Sequence, residues 1–202
     1  MIRNGLKKRT PACLLAATLV LSACGGLTRS DKPADTVWWL QPVTGMTQAD
    51  AAQTPLPIDL SVSVVPGLDS DRILTLSGDA ELKPYAGARW AENLPELVSS
   101  LIGRSLQASG RFEVSQQRSA SSRAGCDLQL ELREFFARLG SGGHTTVVSV
   151  ELDGRYQCGS DAPRSLRSRA SVEVAAEQMN VIVASFQHAL DDVTVDILKQ
   201  IQ

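Results

Sequence analysis

Two cysteines, Cys126 and Cys158, stand at equal distances from a glycine-rich stretch, and that symmetry constrains the fold more tightly than any other feature. Their midpoint is residue 142, inside Gly140-Ser141-Gly142-Gly143, a composition suited to a hairpin turn. Before it runs Cys126-Asp127-Leu128-Gln129-Leu130-Glu131-Leu132. After it runs Val148-Ser149-Val150-Glu151-Leu152, continuing to Tyr156 and Cys158. The even-numbered positions of both are mainly apolar, the alternation of half-buried strands. Pairing residues whose numbers sum to 284 sets Leu132 against Leu152, Leu128 against Tyr156 and Cys126 against Cys158. Directly opposed residues have Cβ atoms about 4.5–5.5 Å apart, and a disulfide needs somewhat less. Such a bridge closes a loop of about thirty residues, worth roughly 3 kcal/mol in the chain-entropy description. Two free buried thiols are the other reading of the pair. No Cys-x-x-Cys motif is present, which argues against a redox-active role.

The remaining periodicities supply more strands and two helices. Thr36-Val37-Trp38-Trp39-Leu40 reads as a short strand of strong β formers. Residues 58–64 alternate cleanly and stop at Pro66-Gly67, and residues 72–76 form another short strand before Gly78-Asp79. The period then changes. Leu94, Leu97, Val98, Leu101, Ile102 and Leu106 share one face of a helix over residues 91–109, closed by Gly110 as a C-terminal cap. Residues 112–114 resume a strand, 115–125 make a polar loop, and 166–176 form a further strand. A last helix starts near Gln178-Met179-Asn180 and carries the stripe Ile182, Phe186, Leu190, Val193, Ile197 and Ile201. The expected fold is α+β, a single domain in which a mixed, mostly antiparallel sheet packs against two main amphipathic helices.

The amino terminus fixes a compartment. Arg3, Lys7, Lys8 and Arg9 precede an uncharged apolar run over residues 11–23, the order of an export signal. That run is shorter than the about 20 residues a helix needs to cross a bilayer. It ends in Leu21-Ser22-Ala23-Cys24, followed by Gly25-Gly26. This resembles a bacterial lipobox, where the cysteine is acylated, with palmitate among the chains, and the chain is cut just before it. The expectation is a signal peptide over residues 1–23, a lipid on Cys24, a flexible tether over 24–35 and a folded domain over 36–202. Several acyl chains, at about 0.8 kcal/mol per buried methylene, hold a protein on a membrane stably. Gly25 lacks the Asp that retains related lipoproteins on the inner membrane, so the periplasmic face of the outer membrane is expected. An oxidising periplasm also suits a Cys126–Cys158 bridge.

Composition narrows the function classes. Loss of residues 1–23 removes four of the 20 cations and none of the 22 acids, leaving a net charge of −6. Nothing basic then points to nucleic acid. The histidines are His144 and His188, neither at metal-ligand spacing from other donors, so no metal and no cofactor is expected. Walker, GxSxG and HExxH patterns are absent, and no catalytic set is expected. Gly140-Ser141-Gly142-Gly143-His144 lacks the lysine and following helix of a phosphate cradle, so it reads as a turn. Asp191-Asp192, and Arg164, Arg167 and Arg169, read as solvated charge. Trp38 and Trp39 are adjacent on a strand and so point to opposite faces. Packing at the core or sheet edge is favoured, with an outward Trp as a candidate contact for lipid or a partner.

The order of features resembles the ABC-type transport auxiliary lipoprotein family from Trp38 onward. Trp39-Leu40-Gln41-Pro42 is similar to the family's opening strand, with Trp where Tyr is usual. The strand over 58–65, then Pro66-Gly67-Leu68-Asp69 and Arg72-Ile73-Leu74, matches its next segments. Arg89-Trp90-Ala91-Glu92-Asn93-Leu94 is similar to its Arg-Trp-Ala-Glu-Pro-Leu element at the start of the first long helix, with Asn93 replacing the usual Pro. The stripe through Phe186, Leu190 and Ile197 fits its closing helix. The resemblance implies a non-enzymatic auxiliary of a lipid-transport system, with an MCE-domain protein and ABC transporter components as partners. It leaves a homo-oligomer open. A structural lipoprotein that assembles an envelope or secretion complex is the alternative.

Overall fold

The computed structural model describes residues 34–44, 54–78, 80–115 and 125–201. Cys24, the signal region, most of the expected tether and much of the polar loop before Cys126 lie outside them. Apart from Ala34, the described residues fall in one compact unit, Asp35–Gln202. Its strands are β1 (Thr36–Trp38), β2 (Leu56–Val64), β3 (Arg72–Ser77), β4 (Glu81–Trp90), β5 (Phe112–Ser115), β6 (Cys126–Leu139), β7 (Thr145–Cys158) and β8 (Arg164–Glu173). Its helices are α1 (Leu94–Ala108) and α2 (Met179–Gln200). Among the described residues no helix is long and apolar enough to cross a membrane.

The eight strands make one mixed sheet organised around β6. Along one edge β6 pairs antiparallel with β7, which pairs antiparallel with β8. Along the other, Cys126 to Leu132 receive β2 and Ala137 to Leu139 receive β3, both parallel. β2 continues to β5, while β3 continues to β4 and then to β1. The fold is therefore α+β, as the periodicities imply.

The hairpin register is the one the sequence dictates. Cys126 faces Cys158, Leu128 faces Tyr156 and Leu132 faces Leu152. A bulge then intervenes: Glu134 faces Glu151, and Arg133 has no opposite number. One extra residue reverses which parity points inward. Before the bulge Leu128, Leu130 and Leu132 are buried; after it Phe135 and Ala137 are. The turn closes with Gly143 donating to the Gly140 carbonyl at 2.9 Å. Gly143 has φ 76°, a left-handed backbone that glycine adopts without steric cost.

α1 packs on β2 and β5, and α2 on β7 and β8. Every residue of the two expected apolar stripes is buried, including Ile201 just past the end of α2. Burial of such aliphatic side chains stabilises by about 1.5–3 kcal/mol each relative to exposure, so these faces fix where the helices lie. α1 starts later than the expected residue 91. Asn93 is extended, with φ −62° and ψ 152°, and Pro95 sits in the first turn, where its missing N–H costs nothing. Gly110, with φ 69°, terminates it and donates to the Gln107 carbonyl at 3.0 Å.

β4 is the strand that periodicity does not reveal. Residues Glu81, Leu82, Lys83 and Pro84 are all exposed, so no apolar alternation marks them. The strand ends in Arg89 and Trp90, so this part of the Arg-Trp-Ala-Glu motif closes a strand rather than opening the helix. Trp90 is fully buried, edge-on to Phe135 at 5.7 Å and to Phe186 at 5.3 Å. This aromatic trio ties β4, the segment of β6 beyond the bulge, and α2 together.

Candidate functional site

The candidate surface begins where the described chain begins. β1 is only three residues long and pairs parallel with the end of β4: Thr36 with Ala88, Val37 with Arg89, Trp38 with Trp90. Alternation decides the fate of the two tryptophans. Leu40 is completely buried and Trp38 packs partly buried against the core. Val37 and Trp39, on the other side of the extended chain, are 50% and 52% exposed. The indole N–H of Trp38 is buried without a partner among the described residues.

The chain after Trp39 is stitched to both helices. Gln41 donates its backbone N–H to Gln187 Oε1 at 2.7 Å, and Gln187 Nε2 donates back to the Gln41 carbonyl at 2.9 Å. The Gln187 amide thus stands in for a paired strand. Its nitrogen also donates to Asp191 at 2.7 Å. Burial raises the Asp191 carboxyl above the ordinary carboxylate range, against the opposing effect of that bond. Val43 donates to Ser105 Oγ at 2.9 Å, and Ser105 donates to the Leu101 carbonyl at 2.8 Å. Held on both sides, Trp39 projects from a fixed strap.

Two ion pairs frame it. Arg89 is the register partner of Val37, and Arg72 is the register partner of Arg89. Arg72 binds Asp35 at 2.9 Å, and Arg89 binds Asp71 at 3.1 Å. Spacing along the sequence gives no hint of these contacts, because sheet pairing alone makes them neighbours.

The other expected residues lie elsewhere. Cys126 and Cys158 are joined as a disulfide at the open end of the β6–β7 hairpin, with Cα atoms 4.0 Å apart. The Tyr156 hydroxyl sits beside Cys126 Sγ at 3.4 Å, and burial raises its pKa. Arg164 lies over the Tyr156 ring at 5.3 Å. Arg167 forks onto Asp153 at 2.7 and 3.0 Å, holding that carboxyl below its ordinary range. Arg169 binds Glu134 at 2.9 Å, and Arg138 shares that carboxylate at 3.2 Å. Arg167, Arg169 and Arg138 therefore belong to a charge ladder across β6, β7 and β8. At the hairpin tip His144 meets Glu177 at 3.0 Å, and Glu177 accepts from the Thr145 N–H at 2.9 Å. The His144 bond, then the Thr145 bond, lowers the Glu177 pKa. The Thr145 hydroxyl bonds that of Tyr85. His188 is exposed on α2 and acts electrostatically on Asp191, beside the Gln187 end of the strap. Among the described residues no group of three or more His, Cys, Asp or Glu could hold a metal.

Comparison with known proteins adds a family. The sequence model described as ABC-type transport auxiliary lipoprotein component matches residues 39–198. None of the curated proteins compared with the chain matches it. Among solved structures, the chain is similar to protein XCC0632 from Xanthomonas campestris, of the family DUF330. The two share 21% identity with a TM-score of 0.65 over 81% of this chain and 92% of that one. An uncharacterized protein gives 13% identity and a TM-score of 0.64, over 84% and 100% of the two chains. The hypothetical protein CT253 from Chlamydia trachomatis gives 10% identity and a TM-score of 0.50, over 73% and 95%. At these identities the likenesses establish a shared fold.

Proposed function

We propose, starting from the fact that this chain belongs to the family of ABC-type transport auxiliary lipoprotein components, that it is a lipid-anchored docking module of a lipid-transport system. Its partners would be an MCE-domain protein that bridges the periplasm and the ABC transporter components behind it. The observation that carries this reading is the extent of the family match, residues 39–198, nearly the whole folded unit.

In this reading residues 1–23 are removed, Cys24 carries the lipid and residues 24–35 tether the domain over 36–202. The anchor sits on the periplasmic face of the outer membrane. The paired positions of Cys126 and Cys158 suit a bridge formed in that oxidising compartment. The domain contributes no bond-making step. It holds a rigid surface at one end of a transport route.

The test is purification of the native lipoprotein from detergent-solubilised envelopes after brief crosslinking, with its partners identified by mass. Enrichment of an MCE-domain protein together with an ABC permease is the expected result. Their absence, with components of a different envelope complex enriched instead, would refute the transport role.

A further inference from the structure

Among the described residues four large apolar side chains stand clearly exposed: Val37, Trp39, Leu56 and Leu82. Two of the four share one side of β1 and its extension, since residues i and i+2 of an extended chain point the same way. Trp39 leaves about half of its surface exposed, yet the strap between Trp38 and Val43 fixes its position through Gln187 and Ser105.

Charge and position narrow what covers this patch. The flanking groups are two cations and two anions already paired, Arg72 with Asp35 and Arg89 with Asp71. The patch is neutral on a body that carries −6 once residues 1–23 are gone. It is also the first folded surface after the tether. Thr36 lies twelve positions beyond Cys24, with eleven residues between them, and a fully extended chain of that length spans no more than about 40 Å. Tryptophan favours the zone between headgroups and acyl chains, where its ring is apolar and its N–H stays wet.

We infer that Val37 and Trp39, framed by the Arg72–Asp35 and Arg89–Asp71 pairs, rest in the headgroup zone of the membrane that holds the lipid anchor. This rests on the lipid-anchored reading above. It orients the domain: β1 faces the bilayer, and the β6–β7–β8 charge ladder is free for other contacts. Because the patch is neutral, its seating does not depend on ionic strength.

The test uses the mature lipidated protein, beginning at Cys24, reconstituted in vesicles of phosphatidylethanolamine and phosphatidylcholine, with and without bromine on the upper acyl chain. Bromolipid should quench part of the tryptophan emission of the unaltered protein. Trp39→Phe should lose most of that quenching and Trp38→Phe should keep it. Raising salt from about 0.1 to 1 M should leave it unchanged. Equal emission in the two vesicle types, or quenching that survives Trp39→Phe, would overturn the inference and leave the patch to a protein partner. A chain that does not float with the vesicles at all would overturn the anchor itself, and the orientation with it.

Discussion

Trp90 is the residue on which the most structure converges. It has no exposed surface, and its ring is edge-on to Phe135 and Phe186, which stack on each other at 4.9 Å. Trp90→Ala would remove the hinge of this trio and leave a cavity. It should cost about 3–5 kcal/mol in urea unfolding, against little change for Trp39→Ala, whose ring is half exposed just past β1. A charged contact behaves differently. Asp153 is held below the ordinary carboxylate range chiefly by its bond to Arg167. A depressed folded-state pKa gives stability that is present above the unfolded-state pKa and lost as pH falls through the folded one. Unfolding midpoints should therefore drop below the ordinary carboxylate range. Arg167→Gln should flatten part of that acid limb, because it removes the cause of the shift. An unchanged acid limb in that variant would show that the ladder is electrostatically idle.

At the scale of elements the β6–β7 hairpin sets the frame, since β2, β3 and β8 all join it. Replacing Cys126 and Cys158 by Ser opens a loop with a sequence separation of 32. The expected loss is about 3–4 kcal/mol, read as a fall in the unfolding midpoint that a reductant reproduces in the unaltered protein. Gly154 stands opposite Leu130 in this ladder. A Cβ there would meet the Gln129 carbonyl oxygen at 2.5 Å and Leu130 Cδ2 at 2.6 Å. Backbone cannot step aside as a flexible side chain can, so Gly154→Ala should destabilise by about 1–3 kcal/mol, with the cysteine bridge still formed. The hairpin was readable because alternation and turn composition act locally. Its bulge was not, since the apolar phase changes through Glu134-Phe135-Phe136-Ala137 without any gap in the pattern. β4 was unreadable for a related reason: its first four residues are exposed, and Pro84 and Gly87 look like loop.

For the whole molecule, the two helices could be read from their stripes, and the Arg89-Trp90-Ala91-Glu92 motif pointed to the family that the sequence match establishes. What no local pattern carries is topology. β2 and β3 share one edge of β6 across long stretches of chain, and the pairing of β4 with both β3 and β1 sets Arg72 beside Arg89 and Arg89 beside Val37. The outward face of β1 was legible as an alternative from Trp38-Trp39, yet which ring turns outward follows from the burial of Leu40. In the reading proposed above, function at this scale lies in position: the lipid on Cys24 would hold a domain with a neutral apolar face near the membrane, where a transport bridge could meet it. The most direct measurement replaces Cys24 by Ser and follows folding, envelope fractionation and complementation of a deletion strain together. The expected protein unfolds at the same urea concentration, leaves the membrane fraction and fails to restore transport. Full complementation by the unanchored, soluble protein would contradict the claim that position is the function.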